Sequence, residues 1–308
     1  MSVFHPELAA GRFIPPLSLG PASARFMRKL RPLSVDTAGD VEVTEISVAG
    51  LVGEPAVTLR LYRPCTQTDA SAALLWIHGG GLVLGSPEQD DRTSIAFARD
   101  LGITVAAVRY RLAPDYPAPA ALHDAYAAYQ ALLSHAQQLR IDSQRIALAG
   151  ASAGGGIAAA LALLIHDRGG VQPVFQLLIY PMLDDRTVVR RGHDTSAVRV
   201  WTPGSNRFGW RSYLGTEPGS EGISPYAAPA RRSDLSGLPP AWIGVGTLDL
   251  FYDEDADYAR RMSEAGVRCE LYSVPGAFHG FDALFRRTAV TAEFTNEQRR
   301  VLRSALAL

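Results

Sequence analysis

The chain has 308 residues, 47% of them hydrophobic, and its 30 basic and 31 acidic side chains leave a net charge of −1. Such a composition can bury a sizeable core and excludes a disordered chain, while the charge balance excludes association with nucleic acid or an anionic membrane driven by bulk charge. At ~100–200 residues per domain the length suggests about two domains, although single α/β domains often run larger.

Residues 1–40 carry Pro15, Pro16, Pro21 and Pro32, with one helix expected near 22–30. The first six residues show no basic stretch followed by an apolar one, so no secretory leader is read there. Residues 41–63 read as extra edge strands, antiparallel, ahead of a parallel core. Apolar runs at 73–77, 103–108, 145–148, 175–180, 242–245 and 269–274 then alternate with helical patterns at 93–100, 120–138, 153–167 and 253–265. Continuous apolar runs suit strands covered on both faces, and the alternation predicts an α/β fold with a mostly parallel sheet between helices. The longest apolar stretch, 157–165, falls short of the ~18 residues that a membrane span needs. Residues 184–240 break the rhythm. They are rich in Arg, Gly and Pro and hold Trp201, Phe208, Trp210 and Tyr213 without a strand signal, which marks a subdomain or a functional excursion.

Cys65 and Cys269 are too few and too far apart for a disulfide framework or a metal site, and read as free thiols in a reducing, cytoplasmic setting. Lys29 is the only lysine, a bias toward arginine with no functional reading attached.

The strongest local pattern is Gly150-Ala151-Ser152-Ala153-Gly154, between a strand and a helix. A serine in a sharp strand-to-helix turn needs small neighbours, because side chains there collide with adjacent backbone, and the helix start offers unpaired N–H groups to negative charge. The second pattern is His78-Gly79-Gly80-Gly81, directly after a strand. Glycines let backbone donors approach a substrate closely, so Gly79, Gly80 and the N–H of Ala153 are the expected oxyanion hole, with His78 orienting the loop. A dinucleotide loop is the competing reading, but glycines at 79, 80, 81 and 85 miss its spacing.

A nucleophilic serine needs a base and a group that orients it, in the chain order Ser, acid, His in this fold. His5 lies in the N-terminal segment, His123, His135 and His166 in expected helices, and His193 in the irregular region. His279 follows the strand at 269–274, at the sheet edge where open α/β folds bind ligands, and is the expected base. Asp249 and Asp253 compete as the acid. Asp253 is explained by a helix N-cap, which leaves Asp249.

With these residues in hand, the chain resembles the bacterial hormone-sensitive-lipase family of esterases, also called family IV. The resemblance is carried by residues 78–81, 110–115, 150–155, Tyr180-Pro181, 236–240, 249–253 and 279–281, and runs from about residue 45 to the end. It implies the α/β-hydrolase fold, with Ser152 as nucleophile, Asp249 as acid, His279 as base, and Gly79, Gly80 and Ala153 as oxyanion donors. It also implies that 1–40 and 184–235 pack together as a helical cap over a catalytic domain of 41–183 and 236–308, and that a homodimer forms through the edge at 269–274. Ala151, Leu82 and Leu250 depart from the family's usual residues beside the serine, after the glycines and after the acid. Leu82, in place of an aromatic, implies a wider pocket floor.

The expected activity is hydrolysis of short-to-medium acyl esters through an acyl-enzyme, with no metal or organic cofactor, a small-molecule ester as substrate, and no nucleic-acid or membrane partner. Leu82, Val83, Trp201, Phe208, Trp210 and Tyr213 are the candidate substrate-binding residues. Amides and lactones suit the same three groups, and a non-catalytic small-molecule receptor on this fold is the rival from another class.

Overall fold

A computed structural model describes residues 3–30, 35–192 and 194–308. Pro32 and His193 lie outside them. The strands are β1 (Val41–Val48), β2 (Val57–Pro64), β3 (Ser71–Ile77), β4 (Thr104–Arg109), β5 (Ile141–Ala151), β6 (Gln176–Ile179), β7 (Ala241–Gly246) and β8 (Cys269–Val274). They form one sheet in the order β1-β2-β4-β3-β5-β6-β7-β8. The β1–β2 and β2–β4 pairs are antiparallel and every later pair is parallel, as expected for edge strands preceding a parallel core.

The helices are α1 (Pro21–Met27), α2 (Asp91–Leu101), α3 (Ala120–Ser134), α4 (Ala136–Leu139), α5 (Ala153–Asp167), α6 (Pro203–Leu214), α7 (Tyr252–Glu264), α8 (Phe281–Leu284) and α9 (Ala289–Ala305). One apolar core packs α3, α5 and α7 on one face of the sheet, and a second packs α2 and α9 on the other. β3 and β7 are buried almost end to end, which is why they read as unbroken apolar runs.

Four differences from the sequence reading have local causes. The strand expected at 145–148 runs from Ile141 to Ala151, because its polar first half pairs only at Ser71 and a bulge follows. The helix expected over 120–138 breaks at His135, and α4 ends on a left-handed Arg140. Residues 203–214 form α6, opened by Thr202 accepting from Ser205 N–H with Pro203 in its first turn and closed by left-handed Gly215. That helix gives no clean sequence signal because its buried residues interleave with Gly and Arg. The amphipathic α9, likewise absent from the sequence reading, covers the second core.

Parallel register brings the carboxyl ends of the central strands level, with Ile77 opposite Gly150, Ile179 opposite Gly244 and Gly246 opposite Val274. The loops after β3, β5, β7 and β8 therefore open on one edge.

Candidate active site

Ser152 links β5 to α5 with φ 56° and ψ −120°, a conformation that costs about 1–3 kcal/mol for a residue with a Cβ. Three backbone hydrogen bonds hold it there. Its N–H donates to Ile179 O at 2.8 Å, and its carbonyl accepts from Gly156 and Met182 N–H at 3.1 and 3.0 Å. The flanking glycines are steric necessities. A Cβ on Gly154 would sit 2.0 Å from Ile77 O, and one on Gly150 would sit 2.4 Å from Gly154 backbone.

Asp249 follows β7 and His279 follows β8. His279 Nδ1 lies 2.8 Å from Asp249 Oδ2, and its Nε2 lies 2.9 Å from Ser152 Oγ. The other Asp249 oxygen accepts from Phe251 N–H at 3.0 Å. A carboxylate only accepts, so Nδ1 carries the proton and Nε2 is left to accept from the serine hydroxyl. The edges of Tyr180 and Phe251 meet the imidazole at centroid distances of 4.7 and 5.3 Å, fixing its plane. All three polar groups are buried, Ser152 to 6% exposure, so a substrate reaches the hydroxyl only past the covering segments.

Beside this chain of bonds runs the loop after β3. A Cβ on Gly79 would meet Ala151 O at 3.0 Å and Ser152 Cβ at 3.4 Å, which places that peptide against the serine. Gly80 takes φ +121° and its carbonyl accepts from Leu84 N–H, turning the loop tightly. His78 is 1% exposed, and burial pushes its pKa down to about 4, so the ring is neutral and its Nδ1–H donates to Gly79 O at 2.8 Å. It stacks on Tyr110, whose hydroxyl donates to His78 O at 2.9 Å. Gly79 and Gly80 N–H find no acceptor among the described residues, and Ala153 N–H, first in α5, has no intrahelical one. Gly79 thus brings one unpaired donor against Ser152 and Ala153 a second, with Gly80 next along the same loop.

Leu82, Trp210 and Tyr213 line a crevice that starts at Ala153 and runs along α5 past Ile157 and Met182. It is too narrow for a water molecule, so the extra width expected from Leu82 is taken up by Trp210 and Tyr213. Trp201, Phe208 and Val83 are not among its lining residues. Trp201 packs on Gly81 and donates to Asn206 Oδ1, Phe208 packs on the core, and Val83 is buried with its carbonyl accepting from Arg28 Nε at 2.8 Å.

Among the other histidines, His5 Nδ1 accepts from Glu7 N–H, His123 pairs with Glu54, His135 bonds Ala131 O, and His166 packs by Gly237. Asp253 is not the N-cap expected of it: Phe251 holds that position without a side-chain cap bond, because α7 starts one residue earlier at Tyr252, and Asp253 lies in its first turn facing Arg190. Sequence reasoning missed Arg28 and Glu254. Arg28 ties α1 to Val83, Ala113 and Asp115, and Glu254 accepts from Leu183 and Asp184 N–H. The acidic run 253–255 at a helix start is the only signal for Glu254. Among the described residues no group of three or more His, Cys, Asp or Glu could hold a metal ion, and no helix is long and apolar enough to cross a membrane.

A sequence model of the alpha/beta hydrolase fold family matches residues 74–283. Esterase LipI of Mycobacterium tuberculosis is 34% identical over 270 residues, covering 87% of this chain and 83% of its own. Ethyl acetate hydrolase of Pseudomonas putida is 34% identical over 284 residues, covering 89% and 86%. Among solved structures, a bacterial heroin esterase superposes with a TM-score of 0.88 at 36% identity, covering 99% of this chain and 98% of that one.

Proposed function

Since the chain belongs to the hormone-sensitive-lipase family of the α/β-hydrolase fold and is a carboxylic ester hydrolase, we propose that it cleaves short-to-medium acyl esters through an acyl-enzyme on Ser152. The observation that carries this reading is the unbroken run of hydrogen bonds from Asp249 through His279 to Ser152.

In this reading Ser152 Oγ attacks the ester carbonyl while His279 Nε2 takes its proton. Asp249 holds the tautomer and stabilises the imidazolium without accepting the proton itself. The oxyanion is received by the N–H groups of Gly79, Gly80 and Ala153. His279 then protonates the leaving alcohol, and water repeats the sequence on the acyl-enzyme. General base action is worth about 10²–10⁴ in rate and each oxyanion donor about 10²–10³.

The same proposal takes 1–40 and 184–235 as a cap over 41–183 and 236–308. Support comes from the side chains that cross between the two cap pieces, where Ser18 Oγ meets Thr202 Oγ1 at 2.8 Å and Leu19 N–H donates to Ser205 Oγ at 2.8 Å. A cytoplasmic location is in keeping with the free thiols of Cys65 and Cys269, and the edge strand β8 is where a homodimer would pair.

Hydrolysis of p-nitrophenyl esters by wild type and Ser152→Ala tests the reading. Turnover of short esters should fall to background in the variant, with circular dichroism unchanged, and a fluorophosphonate should label only the wild type. Retained turnover or labelling in a folded Ser152→Ala would refute it.

A further inference from the structure

The face of α5 that begins at the nucleophile does not end with the crevice. Ala153, Ile157 and Ala160 line the crevice, and the same helical stripe continues as Leu164 and Arg168, which line a separate cavity of about 330 Å³. From Ala160 to Leu164 is one turn, about 6 Å along the axis. Beyond α5 this half-open cavity is walled by Ala118, Pro119, Leu122 and Tyr226, with His123 and Ser224 as its other polar lining, so it is mostly apolar. Ala227 lines both spaces. Tyr213, which is 2% exposed, lines the crevice, and its carbonyl accepts from the N–H of Ala118 at 2.7 Å, on the wall of the cavity. Tyr213 therefore fills the crevice with its ring, beside Trp210, while its backbone is tied to the wall of the second space.

We propose that Tyr213 sets the upper limit on acyl length, by closing the crevice beside Ser152 off from the cavity at the far end of α5, so that the substrates are esters of short acyl groups. The inference rests on Ser152 being the nucleophile. A short acyl group needs only the yielding of side chains near Ala153. A longer one must put its tail where the Tyr213 ring lies, although empty apolar space sits one helical turn further on. Removing the ring joins the two spaces, and the backbone bond from Ala118 to residue 213 survives any substitution there.

The test compares kcat/KM for p-nitrophenyl acetate, butyrate, octanoate and decanoate. Wild type and Tyr213→Phe, which keeps the ring, should both favour acetate and butyrate. In Tyr213→Ala the octanoate-to-acetate ratio should rise about tenfold or more, since placing even one methylene in an apolar pocket is worth about 10–200-fold. Tyr213→Ala/Leu164→Trp, which refills the cavity, should return the ratio toward wild type. Should Tyr213→Ala melt below assay temperature, Tyr213→Val is read in the same way. An unchanged ratio in a folded variant that still cleaves acetate overturns the inference alone, as does a wild type that already handles octanoate as well as acetate, or a shift produced by Trp210→Ala and not by Tyr213→Ala. A wild type inert on every ester overturns the Ser152 reading and this inference with it.

Discussion

The turn that carries Ser152 and the aromatic segment around α6 that lines the crevice beside it are built by different means. At the turn, close approach is between backbones. Gly154 abuts Ile77 O and Gly150 abuts the Gly154 peptide, so the geometry is set by atoms that cannot move. Around α6, most of the filling is done by side chains, although Gly209 also comes close to the Gly81 carbonyl. Gly81 lies against the Trp201 ring, and Trp210 and Tyr213 fill the crevice. Backbone contact leaves a signature in residue identity, because only glycine fits. Side-chain contact leaves none that one sequence can display, since many combinations of aromatics fill the same volume. Chemistry and selectivity are thus written with unequal clarity in this chain.

The largest effect expected of a single atom change lies in the first region. Asp249→Asn leaves the packing in place but lets the amide present its NH₂ to His279, favouring the tautomer with the proton on Nε2. The rate should fall by about 10⁴ with the substrate affinity little changed. Steady-state kinetics on a short ester check this, and a drop below tenfold would mean that Asp249 does not orient the base.

Gly154→Ala and Gly81→Ala set the two regions directly against each other. The first drives a Cβ to within 2.0 Å of Ile77 O, so the sheet edge itself must shift, and stability should fall by about 1–3 kcal/mol or more. The second meets the Trp201 ring, which can turn away, and puts a Cβ on a backbone at φ +60°, a strain of about 1–2 kcal/mol. It should cost less stability and act mainly on KM. Urea titration alongside kinetics separates the two, and equal losses of stability would erase the distinction between backbone and side-chain construction.

Between the regions lies α7, and there the packing is not fully satisfied. Asp255 is buried with both carboxylate oxygens unpartnered, and burial drives its pKa well up. Burial also pushes Glu254 up to about 8, against the bonds it accepts from Thr187 and from Leu183 and Asp184 N–H. Such groups hold a proton in the folded state that the unfolded chain has released, so stability falls as pH rises from the unfolded values, 3.8 for Asp and 4.5 for Glu, through the folded ones. The protein should melt lower at pH 8.5 than at pH 5, and Asp255→Asn should narrow that gap chiefly by raising the high-pH value. Melting curves at the two pH values decide it, and an identical gap in the variant would show that Asp255 does not titrate in that window.

Legibility divides along the same line. The parallel core, Ser152, Asp249, His279 and the loop at 78–81 are all readable, because continuous apolar strands and glycine-forced turns each have one cheap explanation. The helix α6 is not, since its buried Asn206, Gly209 and Trp210 are scattered among Arg207 and Arg211 and present no clean stripe. Of six residues expected to bind substrate, Leu82, Trp210 and Tyr213 line the crevice, while Trp201, Phe208 and Val83 support it from outside. An aromatic in an irregular segment announces burial, and only the path of the neighbouring chain decides which cavity it faces.

The smallest effect concerns how the two regions are joined. Arg28, at the end of α1, donates to Val83 O at 2.8 Å, to Ala113 O and to Asp115 at 2.5 Å, bridging α1 to the loop that follows Gly79 and Gly80. Hydrogen bonds to charged groups are worth about 1.5–3 kcal/mol, and here they add to the bonds of Ser18 and Leu19 in anchoring the segment. Arg28→Ala should leave global melting nearly unchanged, since the sheet does not depend on α1. It should raise KM about threefold to tenfold with kcat within about twofold, the pattern of a lost binding contribution that ground and transition states share. Limited proteolysis should cut sooner near residues 14–36. A fall in kcat of the same size would instead mean that the clamp holds the oxyanion loop itself, and that cap and catalytic edge are one mechanical unit.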